Sequence, residues 1–146
     1  MEHIRLPVAV HLLMIKDGAI LLQRRFNTGY EDGKYGVVAG HINGGEQIME
    51  AMFREAKEEA GITLDLDCLH IAQVMHRKKP EEERIDYFLD CSVWSGSIKN
   101  MEPNKCDDLS WFPLENLPDN MIQYVLHAIH CYLRGEKFTS FGWDDY

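Results

Sequence analysis

Positive charge is what this sequence has least of. Fifteen lysines and arginines face 24 aspartates and glutamates, a formal net charge of −9. Such a surface argues against polymeric nucleic acid or an anionic membrane as partner, because both would be approached against repulsion. Small anionic substrates stay open, since a bound cation reverses the sign locally. No apolar run approaches the ~20 residues that cross a bilayer. The opening MEHIRLPVAV carries an acid and no long apolar stretch, so a secretory signal is not expected. The four cysteines, Cys68, Cys91, Cys106 and Cys131, show no paired metal spacing. Cys68 and Cys91 sit in apolar runs, where a free thiol packs as a small core residue. A reduced, cytoplasmic protein is the expectation. There is no repeat, linker or second domain; 146 residues with 45% hydrophobic and 27% charged content read as a single domain, 1–146.

Residues 7–16 (PVAVHLLMIK) are aliphatic and β-branched and read as a buried strand. Asp17-Gly18 signals a hairpin, with residues 19–26 returning as the second strand. Residues 27–34 read as a loop, and residues 35–39 (YGVVA) as a short strand entering a glycine loop. A helix is predicted over 47–60, with Gly61 where a left-handed terminal residue is wanted and Glu46 at the start, where negative charge suits the dipole. One long strand over 63–77 with a bend near 65–67, a charged loop over 78–83 (KKPEEE), a strand over 84–94 and a loop over 95–108 follow. A short strand at 109–112 stops at Pro113, and a second helix spans about 120–134 before Gly135. The sequence assigns no place to the aromatic, acidic tail FTSFGWDDY. Strands, helix, strands, helix imply an α/β (α+β) architecture, a mixed β-sheet sandwiched between helices.

The chemistry concentrates in residues 39–62, AGHINGGEQIMEAMFREAKEEAGI. At ~100° per residue, Glu55, Glu58 and Glu59 fall within about 100° of one another. Met49, Phe53, Ala56 and Ala60 form the expected core stripe, while Ile48, Ala51 and Met52 extend the carboxylate face toward the helix start. Lys57 points away from the acids, and only Arg54 is spaced to reach one, Glu58 at i+4. Three crowded carboxylates are ordinarily a solvated acidic face. Here Gly40, Gly44 and Gly45 precede the helix and allow backbone to approach a ligand closely. Carboxylates, carbonyls and water suit Mg²⁺ or Mn²⁺ rather than zinc, and such ions clamp polyphosphates and activate water.

The spacing Gly40, Glu46, Arg54-Glu55, Glu58-Glu59, Gly61, with Ala56 and Ile62 in the apolar slots, resembles the signature box of the Nudix hydrolases at every fixed position. Ala39 departs from the second glycine that many members carry, though its carbonyl is kept. The resemblance covers nearly the whole chain and implies the Nudix fold. It implies hydrolysis of a nucleoside diphosphate linked to another group X, with Mg²⁺ or Mn²⁺ and water attacking phosphorus. Carried over by position, Glu55, Glu58, Glu59 and the Ala39 carbonyl are metal ligands, Arg54 orients the acids and Glu46 braces the loop. Either Glu55 or Glu58 is the general base, with an acid in the 102–108 loop as rival.

Residues outside the box resemble the MutT-like branch, which acts on nucleoside triphosphates. Gln23-Arg24-Arg25 ends the second strand as in that branch, placing Arg25 at the phosphates; its plain reading is an exposed basic strand end. WFPLENLPDN resembles the branch's Trp-containing strand and the start of a helix, so Asn120 is either a base reader or an N-cap, or both. Asp107 is a candidate further metal ligand, with Glu102 as competitor, and Gly40 is the close-approach point for substrate. The expected partner is a small nucleotide, a (d)NTP (oxidised forms included) cut to NMP and pyrophosphate, with the protein a monomer or homodimer. Pro80 lies near a proline position of ADP-ribose enzymes, which keeps an ADP-sugar as runner-up beside dinucleoside polyphosphates. A non-catalytic nucleotide-binding domain is the reading from another class, disfavoured because such domains lose box glutamates and this one keeps them. His70 and His76 read as strand side chains, and His3 and His41 receive no role.

Overall fold

The structure, a computed structural model, describes residues 2–145; Met1 and Tyr146 lie outside the described residues. Its centre is β1 (Val8–Leu13), which pairs in parallel with β8 (Glu82–Asp90) and antiparallel with β5 (Ala39–His41). β7 (His70–Lys79) lies antiparallel to β8, and β11 (Phe138–Phe141) adds parallel to β7, giving the mixed order β11-β7-β8-β1-β5. A second, antiparallel sheet joins β2 (Ile15–Lys16), β3 (Ala19–Arg25), β4 (Tyr35–Gly36) and β10 (Cys106–Pro113). β6 (Thr63–Leu64) and β9 (Trp94–Ser95) form a small separate pair.

Two helices close two cores. α1 (Ile48–Ala60) covers one that takes Val10 and Leu12 from β1 and Leu89 from β8. α2 (Gln123–Leu133) covers the other, with Leu13, Met75 and Phe88 against Val125, Ala128 and Ile129. A central strand with apolar packing on both faces reads as a continuous apolar run rather than an alternation, which is why residues 7–16 look as they do.

Several boundaries move for identifiable reasons. The 78–83 charge run is not a loop: Lys78 stands opposite Glu83 and Lys79 opposite Glu82, so opposite charges continue the ladder up to a tight turn at Pro80-Glu81. Lys79 Nζ reaches Glu82 Oε2 at 3.4 Å. The long strand over 63–77 is interrupted where the bend was expected, by a 3₁₀ turn at Leu66–Cys68 capped by the Asp65 side chain on Asp67 N. The 35–39 strand is two pieces on two sheets, β4 on β3 and β5 on β1. Cys106 to Asp108 belong to β10, not to a loop, because they pair with Arg25 and Arg24. α2 starts at Gln123 with Ile122 as its N-cap, so Asn120 precedes the helix and does not cap it. The tail docks. β11 forms the sheet edge and the Trp143 indole donates to the His76 carbonyl at 2.9 Å. Gly142, with φ +86°, passes where any Cβ would overlap the Lys78 carbonyl.

Candidate active site

β5 carries Ala39 and Gly40 alongside β1, with Ala39 opposite His11. The following turn is tied by Asn43 N donating to Glu46 Oε1 at 2.9 Å. From the second turn of α1, Arg54 reaches back to it. Its Nε and Nη2 donate to the two Glu46 oxygens at 2.7 and 3.1 Å, and Nη2 also to the His41 carbonyl at 3.1 Å. The remaining nitrogen, Nη1, donates to Glu55 at 2.7 Å and Glu58 at 3.3 Å. One planar guanidinium thus holds loop and acids together, a geometry that lysine has no fork to reproduce. The Arg54 hydrogen bond, helped by Asn43 N–H, pulls the Glu46 carboxyl below its ordinary range, and Glu46 in turn raises Arg54.

The three acids are not equivalent. Glu58 is 54% exposed, whereas the Glu55 side chain is 13% exposed and lies over Gly40. Glu59 accepts from Gln23 Nε2 at 2.9 Å and from Ala39 N at 3.2 Å. Burial first, then the charges of Glu55 and Glu102, push the Glu59 carboxyl well above the usual carboxylate range, against the hydrogen bond from Gln23. The helix is therefore rolled relative to its sequence wheel. Ala51 and Met52, placed on the acid face by spacing, are fully buried, while Met49 and Phe53 are only partly covered. Small residues set that roll: Ala51, Ala56 and Ala60 let α1 settle close to the sheet, turning Glu55 and Glu59 inward.

The donor set fits a hard divalent cation. It is all oxygen, and Glu59 is a buried acid crowded by like charges, an arrangement a bound cation would relieve. Among the described residues no three acidic, histidine or cysteine side chains are gathered into a closed cage. Mg²⁺ does not require one, since it keeps waters and shares substrate phosphates with one or two carboxylates.

The other expected site residues are distributed unevenly. Asp107 pairs outward with Arg24 Nε at 2.7 Å, whereas Glu102 is the acid whose charge is felt at Glu59. Arg25 Nε donates to the Tyr30 carbonyl at 2.7 Å. Asn120 Nδ2 donates to the Gly33 carbonyl at 2.7 Å, and its own carbonyl accepts from Tyr35 N, so this residue pins the 27–34 loop onto β4. That loop is further tied by Asp32, which accepts from the Thr28 and Gly29 N–H groups.

Beside Gly40 opens a cavity of about 410 Å³ whose wall includes Ala39, Gly40, Arg25, Arg77, Lys79 and Arg84. Sequence reasoning missed most of it. Arg77 stands directly opposite Arg84 across β7 and β8, a pairing that ordinarily repels and persists because the buried Asp86 takes Arg77 at 2.7 Å. Asp86 also meets His11 Nε2 at 2.9 Å. Arg84 Nη2 donates to His41 Nε2 at 2.6 Å, which makes that nitrogen an acceptor; burial and Arg84 lower the His41 pKa accordingly. A usable signal was present in Arg77, Lys79 and Arg84, same-face positions in an otherwise acidic chain.

Comparison with known proteins decides the family. The sequence matches the NUDIX domain over residues 5–129. The chain belongs to the Nudix family. It is 31% identical over 76% of its length to an ADP-ribose pyrophosphatase from Methanocaldococcus jannaschii, covering 64% of that protein. It is 28% identical over 73% of its length to an oxidized purine nucleoside triphosphate hydrolase from Danio rerio, covering 66% of it. Its fold superposes on a MutT NUDIX hydrolase from Burkholderia pseudomallei with a TM-score of 0.80 at 26% identity, covering 86% of this chain and 97% of the other. The chain spans between 25% and 66% of the length of the curated relatives it matches. Nudix hydrolases are pyrophosphohydrolases that act on phosphorus-containing anhydrides. No helix among the described residues is long and apolar enough to cross a membrane.

Within the Nudix box, Gly40 now has a physical requirement. A Cβ there would come within 2.7 Å of Glu55 Cγ and closer still to its carboxyl. Gly40→Ala is expected to displace Glu55, cutting turnover at least about tenfold while the fold persists. Parallel kinetics and thermal unfolding check this, and full activity would show that Glu55 needs no such seat.

Proposed function

We propose that this Nudix domain hydrolyses the diphosphate linkage of a small nucleotide with Mg²⁺ or Mn²⁺ as cofactor, and that its best substrate is a (d)NTP, oxidised forms included, cut to NMP and pyrophosphate. The observation that carries the reading is the single guanidinium of Arg54, which ties Glu46, Glu55 and Glu58 beneath Gly40 while Glu59 is buried beside them. Glu55, Glu58, Glu59 and the Ala39 carbonyl would hold the cation, with Glu102 rather than Asp107 as the further acid, since Asp107 is committed to Arg24. Bound there, the divalent ion supplies charge to the phosphoryl oxygens and acidifies water.

The chain's own groups do the rest. Arg54 keeps Glu55 and Glu58 aimed at one place and anchors the loop through Glu46. Glu58, the most exposed of the three and the one most loosely held by Arg54, accepts the proton of the attacking water as general base. Gly40 gives the substrate close approach to the backbone, and Arg25, which lines the same cavity, would meet the phosphates. Four free cysteines suit a reducing, cytoplasmic setting.

A second reading, an ADP-sugar pyrophosphatase, is favoured by the 31% identity to the archaeal relative. Both are tested by one panel: dNTPs, oxidised dNTPs, ADP-ribose, NDP-sugars and dinucleoside polyphosphates, with and without Mg²⁺, and products identified by ³¹P NMR. Metal-dependent NMP and pyrophosphate from the triphosphates is the expected result. Binding of a nucleotide without turnover of any would leave the non-catalytic domain instead.

A further inference from the structure

The cavity beside Gly40 is lined by hydrogen-bond donors. Arg25, Arg77, Lys79 and Arg84 line it, and guanidinium and ammonium groups have nothing to accept with. Against these four cations stand two paired carboxylates, Asp86 and Glu82, while Asp32 is near enough to Arg25 to feel its charge. Asp86 is fully buried and occupied by His11 and Arg77; Glu82 is shared by Lys79 at 3.4 Å and Arg84 at 3.7 Å. Arg25 pairs with no carboxylate among the described residues. The balance is a net positive charge in one wall of a protein that carries −9 overall.

The key donor is Arg84. The residue is only 8% exposed, and no acceptor lies within hydrogen-bond distance of its Nε; Asp86 Oδ1 is the nearest ion-pair partner, at 3.6 Å. A buried guanidinium nitrogen left without an acceptor is an uncommon arrangement in a folded protein, and with its carboxylates at 3.6 and 3.7 Å the Arg84 charge is only partly compensated.

The amino-bearing edge of adenine or cytosine is poorly matched to this wall. Each tyrosine ring in it already carries a cation: Arg77 lies 3.5 Å from the Tyr124 centroid, and Arg25 and Lys79 lie 5.4 and 5.2 Å from that of Tyr30. The His41 Nε2 acceptor is taken by Arg84. An amino group of adenine or cytosine would meet donors, whereas a phosphate or carboxylate would meet complementary ones.

We propose that this cavity is an oxyanion subsite, in which Arg84, Arg77 and Lys79 bind an anionic group that the substrate carries in addition to the linkage being cut. The substrate class is then a nucleoside diphosphate derivative with a further phosphate or carboxylate. That group is the terminal phosphate of a triphosphate or an acid on a linked sugar. The inference rests on the hydrolase reading for its substrate but not for its binding site, and the two are tested apart.

The first measurement uses the whole chain in EDTA, without turnover: titration calorimetry with inorganic tripolyphosphate, and separately with inorganic phosphate. Wild type is expected to bind tripolyphosphate. Arg84→Gln and the half-exposed Lys79→Gln should each weaken binding about tenfold or more, while Lys137→Gln on the exposed approach to β11 leaves it unchanged. Lys79→Gln keeps the test valid if Arg84→Gln misfolds. No binding by wild type, or equal binding by Lys79→Gln and Lys137→Gln, overturns the proposal.

The second measurement compares kcat/KM within matched pairs, a nucleoside triphosphate against its diphosphate and UDP-glucuronate against UDP-glucose. The anionic member of at least one pair should be favoured tenfold or more, and that preference should collapse in Lys79→Gln; the pair showing it identifies phosphate or carboxylate as the source. Equal rates within both pairs overturn the proposal even if the enzyme is active. Tripolyphosphate binding lost in the variants, in a protein that hydrolyses nothing, would sink the hydrolase reading and leave the subsite standing.

Discussion

Glu58→Gln is expected to lower turnover by at least about 100-fold while leaving the melting temperature of metal-free protein nearly unchanged. The two effects separate because of where Glu58 sits. Its side chain is 54% exposed and its one ion pair, to Arg54, is long at 3.3 Å. An exposed pair of that kind contributes at most about 0.5 kcal/mol, and Arg54 keeps Glu46 and Glu55 at 2.7 Å without it. Charge held against a developing phosphoryl transition state contributes several kcal/mol, and each 1.36 kcal/mol is about a tenfold change in rate. The glutamine is isosteric, so substrate affinity should change less than kcat. Mg²⁺ titration followed by thermal unfolding gives an independent readout: the variant should need more metal for the same stabilisation. Retained activity together with an unaltered metal response would remove Glu58 from both roles.

Asp86→Asn should have the largest effect on stability, a fall of roughly 3–5 kcal/mol, or about 10 °C or more in melting temperature. Asp86 has no exposed surface and is the only carboxylate touching Arg77, whose side chain is 5% exposed, among the described residues. Removing its charge leaves Arg77 directly opposed to Arg84 on the neighbouring strand, with only the 3.7 Å contact from Arg84 to Glu82 in compensation. Burial by itself would push the Asp86 carboxyl up; His11 and then Arg77 outweigh it and hold it far below the ordinary carboxylate range. The folded pKa is depressed, so its stabilisation is present above the unfolded value near 4 and is lost as pH falls below that. The gap in melting temperature between wild type and Asp86→Asn should therefore be full at pH 7 and narrow below about pH 4. A gap of less than 2 °C at pH 7 would show that the arginines are screened by solvent instead.

The sequence wheel of α1 and the structure disagree by a roll that matters. Spacing correctly gathered Glu55, Glu58 and Glu59 on one side, but placed the core stripe on the arc of Met49 and Phe53 and put the buried Ala51 and Met52 with the acids. Angular position is visible in a sequence; how closely a helix approaches a sheet, and with what roll, is not. The alanines allow the close approach, and with it the burial of Glu59. The KKPEEE run carried a similar ambiguity. A block of opposite charges reads as a solvated loop until the register places each lysine across from a glutamate. Asn120 lost its capping role for a non-local reason, since its partners Gly33 and Tyr35 are far away in sequence.

By itself, the sequence determined the cluster of box residues proposed to bind metal. The box residues lie within one loop and one helix, so their spacing is their geometry: Arg54 finds Glu58 one turn on, and Glu46 waits at the helix start. It also determined the two-sided sheet, because a strand buried on both faces reads as a nearly continuous apolar run, broken in β1 only by His11. Tertiary structure alone decided the cavity beside that cluster. Arg25, Arg77, Arg84 and His41 come from four different strands or strand ends, and their meeting depends on the register of β1, β5, β7 and β8. A one-residue slip in any of those pairings would turn the side chains to the opposite face, and no local pattern in the chain records which register is adopted.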